Sequence, residues 1–476
     1  MIDNGHAGSF ADFPSSFSGQ LFRPGDSGYA EARKIFNCIT DDEHPALIAR
    51  CANEEDVVIA AGYASARGEP IAVRSGGHSS DASAMPGGAL VIDLSAMTQI
   101  TVDVAGRTAR AQAGVLLGDF DAATQAHGLA TTAGTVSTTG LAGLTLGGGV
   151  GYLMRRYGAT VDNLLACDVV TVDGRRVRAS EQENPELFWG LRGAGHNLGI
   201  VTAFEYRLHE VGPEVVNGLI IYPLDQAAEV FAGVREIMKD ASRDLMVHAC
   251  LLPLPPLPPI PAEAHGMPVA ILIATFCGDL EQADSAIAPL ASLGQPLANV
   301  IEHKSYLEAQ ALLNVLAPPG RRMFARGAHM SELSDEAVAV AIGRSAAPPA
   351  PTGPGPSSAI IFWCLGGALD DVDEDAMAFS REGASWMWEA IGQWDPADKD
   401  AEFKAWVDGV LGDLAPYSRA NGYVNLTVDQ GPDWLAGLYG SPAKYERLVK
   451  LKTEWDPDNL LRFNKNILPV REAAPV

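Results

Sequence analysis

GTVSTTGLAGLTLGGGVG, residues 134–151, is dense in glycine and carries no charged residue. Glycine at this density means backbone held at positive φ, or backbone brought against something flat or anionic. A plain series of turns is the other reading. Two nucleotide motifs can be tested on it directly. A dinucleotide fingerprint, GxGxxG, read from Gly147 needs glycine where Tyr152 stands, and read from Gly149 needs it where Met154 stands. A phosphate loop, GxxxxGK[ST], needs a Gly-Lys pair, and none follows. Both motifs fail.

Two further segments belong with it. IAVRSGGHSSDASAMPGGALVIDLSAM, residues 71–97, sets a lone histidine, His78, after Gly76 and Gly77 and between two β-rich runs. ENPELFWGLRGAGHNLGIVTAFEYRL, residues 183–208, reads as a helix running into Gly195, Asn197 and Gly199 and then a strand. A glycine-rich turn ahead of a β-branched strand can offer several backbone N–H groups to a phosphate without a basic side chain. The three segments together could line one long anionic ligand.

Composition narrows the field. The chain has 476 residues, 34 Lys plus Arg against 59 Asp plus Glu, and a formal charge of -25. Such a surface repels nucleic acid and anionic lipid, so neither is an expected partner. No apolar run approaches a membrane span, and MIDNGHAGSFADFPSSF lacks the basic and apolar regions of a signal peptide. Six scattered cysteines without a CxxC argue against zinc and against a disulfide framework. A cytoplasmic protein without a metal is expected.

Along the chain, strand-like and helix-like segments alternate to about residue 210, as in ALIARC, EEDVVIAAGYASARG, PIAVRS and ALVIDLS. From 213 to 414, runs such as GLIIYPL, LMVHACLL, PVAILIATFCG and SAIIFWCLGGAL predict an antiparallel sheet. DQAAEVFAGVREIMKD and AMAFSREGASWMWEAIGQW predict helices covering it. Two proline-rich stretches, 253–268 and 348–358, predict loops. The fold class is α+β.

The motifs RSGGHS (74–79), the 134–151 block, the ENPELFWGLRGAGHNLGIVTAFEY block, and YVN (423–425) with WDPDNLLRFNKNI (455–467) form an ordered set. It resembles the FAD-linked oxidases of the vanillyl-alcohol-oxidase superfamily, within the berberine-bridge-enzyme-like group. The resemblance implies a two-part PCMH-type FAD-binding domain, from residues 1–212 and 415–476, with a substrate domain over 213–414. It implies that His78 is joined covalently to the 8α carbon of the flavin. A neutral imidazole on a glycine loop suits that role. By position, Arg74, Ser75, Gly76, Gly77 and Ser79 would surround the pyrophosphate. Gly134, Thr135, Thr138, Gly140, Gly143, Gly148 and Gly149 would lie against ribitol and ring. Gly195, Asn197, Gly199 and Val201 would approach the adenine half, and Tyr423, Asn425 and Asn464 would close over the flavin.

The chain departs from the family pattern at two places. Many relatives make a second bond from a cysteine, where this chain has Val136, so a single attachment through His78 is expected. Three residues on, where relatives carry a small residue governing O2 access, stands Thr139, as in flavin enzymes of bacterial polyketide pathways that transfer oxygen through the flavin N5. In the substrate domain, Phe324, Arg326, Phe362 and Cys364 are the expected lining residues. No general base stands at the aligned strand, which leaves Tyr423, Tyr306 and His329 as candidates. The expected function is hydride transfer from a hydrophobic aromatic, polyketide-like or alkaloid-like small molecule to FAD, with O2 as acceptor giving H2O2, in bacterial secondary metabolism. The alternatives are an oxygenase assisted by Thr139 and a non-catalytic flavin scaffold.

Overall fold

The structure is a computed structural model that describes residues 10–254, 265–353 and 355–470. Most of the first proline-rich stretch, the single residue 354 of the second, and the amino-terminal residues 1–9 lie outside the described residues. Two small sheets carry the glycine segments. In the first, strands Leu47–Arg50, Leu90–Asp93 and Ile71–Arg74 run parallel, with Gln20–Phe22 antiparallel at one edge. The helix Glu54–Arg67 makes the crossover; Asn53 caps it by accepting from Asp56 N–H, and Gly68 closes it at φ +65°. The second sheet is antiparallel, in the order Ile100–Asp103, Thr108–Gln112, Ile200–Arg207, Leu164–Val170, Arg176–Ser180. One core joins both. It draws on residues from Phe10 to Leu208 and also on Val424, Leu435, Leu448, Leu461 and Ile467, so the carboxy-terminal segment folds back onto the first third of the chain.

The large sheet is wholly antiparallel. Its order is Ala298–Asn299, Glu214–Pro223, Pro268–Phe276, Leu245–Pro253, Ser358–Cys364, Trp386–Trp394, Arg322–Met330, with Glu302–Ser305 also paired to Glu214–Pro223. Helices cover one face. Ala227–Asp240 buries Ala227, Val230, Phe231, Val234 and Met238, the three- and four-residue spacing of an amphipathic stripe. Ala283–Ala291, Asp335–Ser345 and Asp400–Leu414 pack beside it. The opposite face turns toward the glycine segments.

One predicted helix is a strand. AMAFSREGASWMWEAIGQW contains Trp386–Trp394, a central strand paired on both sides. Trp386, Trp388 and Ala390 enter the helix-side core, while Met387, Glu389, Ile391 and Gln393 point the other way.

The glycine segments meet backbone to backbone. A Cβ on Gly76 would lie 2.5 Å from Gly140 Cα and N, and one on Gly140 would lie 2.5 Å from Gly76 N. Neither backbone can yield cheaply. Gly140→Ala is expected to cost about 1–3 kcal/mol, the usual overpacking range, seen as a lower urea midpoint. Gly343→Ala, in a helix and with nothing within 4 Å of the added methyl, is the control expected to gain about 0.5–1 kcal/mol.

Candidate active site

A cavity enclosing about 390 Å³ runs from the glycine segments to the uncovered face of the large sheet. That lies in the range of small-molecule sites. Gly77, at φ +67°, turns the chain so that His78 enters the cavity wall. The His78 ring stacks on Phe36 with centroids 3.6 Å apart, and Thr138 Oγ1 lies 3.3 Å from His78 Nε2. Burial pushes its pKa down to about 4, so the imidazole is neutral at neutral pH.

Of the residues expected at the cofactor, Ser75, Gly76, Gly77, His78, Ser79, Gly134, Thr135, Val136, Thr139, Gly140, Gly143, Asn197, Gly199, Val201, Tyr423, Asn425 and Asn464 line this cavity. Others do not. Arg74 turns away, its guanidinium paired with buried Asp93 at 3.1 Å. Thr138 is exposed and reaches the site only through His78. Gly148, Gly149 and Gly195 are glycine for packing: a Cβ there would meet Phe379, Thr160 Oγ1 and Leu146 at 2.7, 2.1 and 2.4 Å. The 148–150 turn also aims the Gly149 and Val150 N–H groups at the Tyr423 phenol oxygen, which accepts from Asn425 Nδ2 at 2.9 Å as well. Burial pushes Tyr423 up to about 12, so it stays a phenol.

The carboxy-terminal strap is sewn over this wall. Asn197 Nδ2 donates to Lys465 O and Asn197 Oδ1 accepts from Ile467 N, while Asn464 Nδ2 donates to His196 O. Lys465 Nζ meets Asp81 Oδ2 at 2.7 Å. Burial opposes ionisation of Asp81, but Lys465 and the Ser79 and Ser83 hydrogen bonds outweigh it and hold the carboxyl well below its ordinary range. With His78 and His196 both pushed down to about 4 by burial, the charged lining residues among those described are Asp81, Glu389 and Lys465. Lys465 is committed to Asp81, so an anionic ligand here would rely on backbone donors. Gly143, where a Cβ would meet nothing within 4 Å, leaves open a wall that any side chain would fill. A long, flat, anionic cofactor such as FAD fits these residues.

The sheet side of the cavity is apolar. Leu219, Cys250, Leu252, Ile271, Ile273 and Ile361 supply it, with Met323 and Ala325 at the far edge. Trp363 and Glu389 stand in this wall. Trp363 Nε1 donates to Glu389 Oε1 at 3.1 Å, whereas Glu389 Oε2 has no partner among the described residues. Burial pushes Glu389 up to about 7, moderated by the Trp363 hydrogen bond. A carboxyl poised near neutrality with one free oxygen is equipped to take a proton.

Four expected substrate contacts are corrected by the pleat. Phe362 and Cys364 face the helices, with Phe362 edge-on to Phe231 at 6.1 Å, and their strand neighbours Ile361 and Trp363 face the cavity. In Arg322–Met330, Phe324 and Arg326 also turn to the helix side. Arg326 stacks over Phe324 and pairs with Asp408 at 2.9 Å. Tyr306 and His329 are buried outside the cavity lining, and burial pushes His329 down to about 3. The candidate base is Glu389. Its signal in sequence was an acid on the alternate face of a Trp-rich strand.

Comparison with known proteins adds the following. A family model described as an FAD binding domain matches residues 45–180, and one described as berberine and berberine like matches 422–468. An FAD-linked oxidoreductase of Dictyostelium discoideum is 32% identical over 466 residues, covering 97% of each chain. The (R)-6-hydroxynicotine oxidase of Paenarthrobacter nicotinovorans is 30% identical over 474 residues, covering 96% of this chain and 98% of that one. Among solved structures, 6-hydroxy-D-nicotine oxidase from Arthrobacter nicotinovorans superposes with a TM-score of 0.84 at 28% identity, over 96% of this chain and 99% of that one. Berberine bridge enzyme from Eschscholzia californica, at 21% identity and a TM-score of 0.82 over 96% and 97% of the two chains, shares the fold.

Proposed function

The chain belongs to the FAD-linked oxidoreductases of the berberine-bridge-enzyme-like group, and from that premise we propose an oxidase that acts on a hydrophobic small molecule through Glu389. The observation that carries this reading is the Glu389 carboxylate oxygen left without a partner among the described residues, in a mostly apolar wall. FAD, when bound, supplies the acceptor for a hydride and returns the electron pair to O2 as H2O2. Glu389 Oε2 takes the proton from the substrate's hydroxyl, phenol or ammonium group as the hydride leaves, while Trp363 holds Oε1. The aliphatic wall from Leu219 to Ile361 positions an aromatic, polyketide-like or alkaloid-like body and excludes water. His78 is the single covalent anchor, since Val136 has no thiol. Residues 1–212 with 415–476 form the FAD-binding unit and 213–414 the substrate unit. Among the described residues no helix is long and apolar enough to cross a membrane, and we place the reaction in the cytoplasm, in bacterial secondary metabolism.

A second reading, oxygen insertion assisted by Thr139, is favoured by the place of that residue in the cavity wall beside Val136. Turnover of a panel of hydrophobic aromatic amines, phenols and alcohols under ¹⁸O2 separates the two. One H2O2 per substrate consumed, with unlabelled product, supports the oxidase; label in the product supports the oxygenase. The scaffold reading rested on the lack of a base, which Glu389 supplies. Yellow protein that no member of the panel bleaches would restore it.

A further inference from the structure

Asp121 is 1% exposed, lies on the helix Leu117–Gln125, and pairs with no Lys or Arg among the described residues. Its one side-chain partner is Gln310, 4% exposed, on the helix Tyr306–Ala311. Gln310 Nε2 donates to Asp121 Oδ2 at 3.0 Å and to the Gly134 carbonyl at 3.2 Å. Two atoms of the same pair are left without partners among the described residues: Asp121 Oδ1 and Gln310 Oε1. Both are acceptors if Asp121 is ionised, and each would then be buried bare, a costly state. One proton on Oδ1, if donated to Oε1, would satisfy both at once. It would close a cyclic carboxylic acid–amide pair and leave the second amide hydrogen of Gln310 for Gly134 O.

The pair sits behind the turn that carries Val136 and Thr139. Asn314, one turn beyond Gln310, accepts from Ser137 N at 2.9 Å and donates to Ser137 Oγ at 2.7 Å. From the other side, Leu117 N and Gly118 N at the start of the Asp121 helix donate to Thr139 O and Ser137 O, both at 2.9 Å. Gly134, Thr135, Val136 and Thr139 line the cavity. The turn is thus held at Gly134 by Gln310, at Ser137 by Asn314 and Gly118, and at Thr139 by Leu117; Gln310 and Asn314 belong to the segment ahead of the substrate sheet's last strands.

We propose that Asp121 and Gln310 form a neutral acid–amide clasp that positions the cavity-lining turn 134–139, with Asp121 holding a proton for it. Neither residue touches the cavity, so both are positioning residues. Burial favours the same state, pushing Asp121 up to about 7 against the opposing Gln310 hydrogen bond. The titratable neighbours do not interfere. Tyr306, on the facing helix, is held neutral by burial, as are Cys277 and Tyr152 behind it. Asp119 and Glu308, on the two helices themselves, are exposed.

The sign of the pH effect follows from the raised value. The unfolded chain loses this proton near 3.8 and the folded one near 7, so the clasp's contribution is full below the first and falls away up to the second. Asp121→Asn keeps a cyclic amide–amide pair and carries no titrating proton. The test compares flavin-loaded wild type, Asp121→Asn and Asp121→Ala by thermal midpoint from pH 4 to pH 9, by flavin content per chain, and by the infrared carbonyl stretch of protonated carboxyl groups at pH 6. Glu389 titrates in the same window but is common to all three proteins and cancels in the difference. Expected are full flavin content in Asp121→Asn, with loss of one protonated-carboxyl band and of one proton's pH slope. Asp121→Ala is expected to lose flavin. A pH slope or infrared band unchanged in Asp121→Asn would overturn the protonated clasp, and full flavin content in Asp121→Ala would overturn its positioning role.

Discussion

Glu389→Gln lowers kcat/KM by about 10²- to 10⁴-fold, the span that a positioned general base contributes, and it removes an ionisation near pH 7 from the rate profile. The wild-type residue is fully buried and pushed up to about 7. Only its ionised form accepts a proton, so the wild-type rate rises with pH through that value and then levels. Glutamine keeps the size of the side chain and still accepts from Trp363 Nε1, so the cavity wall and flavin content are unchanged. The limb disappears because the group that produced it is gone. Trp363→Phe gives a graded counterpart. It removes the one hydrogen bond that lowers the Glu389 pKa, so the limb moves to higher pH while a plateau rate survives. Steady-state profiles of the three proteins decide the matter. A Glu389→Gln profile that keeps the limb and the wild-type plateau assigns the proton to another residue.

That this carboxyl escaped the sequence reading has a physical cause. Trp386–Trp394 is buried on both faces, so its apolar residues form a nearly continuous run, and its two polar members, Glu389 and Gln393, stand four apart. Four-residue polar spacing is also the mark of a helix face. The same double burial makes the two faces of Ser358–Cys364 indistinguishable in sequence, which is why alternation alone does not tell that Phe362 and Cys364 face the helices. Where a strand or helix is buried on one side the pattern was legible, as in Ala227–Asp240 and Glu54–Arg67. The glycine segments were legible as a cradle for another reason, since backbone approach leaves a residue-type signature that needs no partner. It does not say which glycine faces the ligand and which faces Phe379 or Leu146. Pairs made at long range left no trace. Asp81 and Lys465 are 384 residues apart, and Asp121 and Gln310 are 189 apart.

His78→Ala is expected to lose all acid-stable flavin. Wild-type protein precipitated in acid is expected to keep its yellow colour in the pellet, and the variant to release it entirely to the supernatant. A nucleophilic imidazole must be neutral, and burial pushes His78 down to about 4, so the reactive form dominates over the whole neutral range. Orientation comes next. Phe36 stacks on one ring face at 3.6 Å and Thr138 Oγ1 meets Nε2, which fixes the ring plane before any flavin arrives. Phe36→Ala removes the stack and leaves the nucleophile, so it slows attachment without abolishing it. No second thiol in the turn can substitute, because Val136 stands where the family resemblance implies a second attachment, and Cys250, the cysteine in the cavity wall, lies on the sheet side with its thiol pushed up by burial. Peptide mapping of the yellow pellet therefore returns one flavin-bearing peptide, containing His78. A flavin peptide without His78, or yellow His78→Ala pellets, would place the anchor elsewhere and with it the orientation of the flavin toward Glu389.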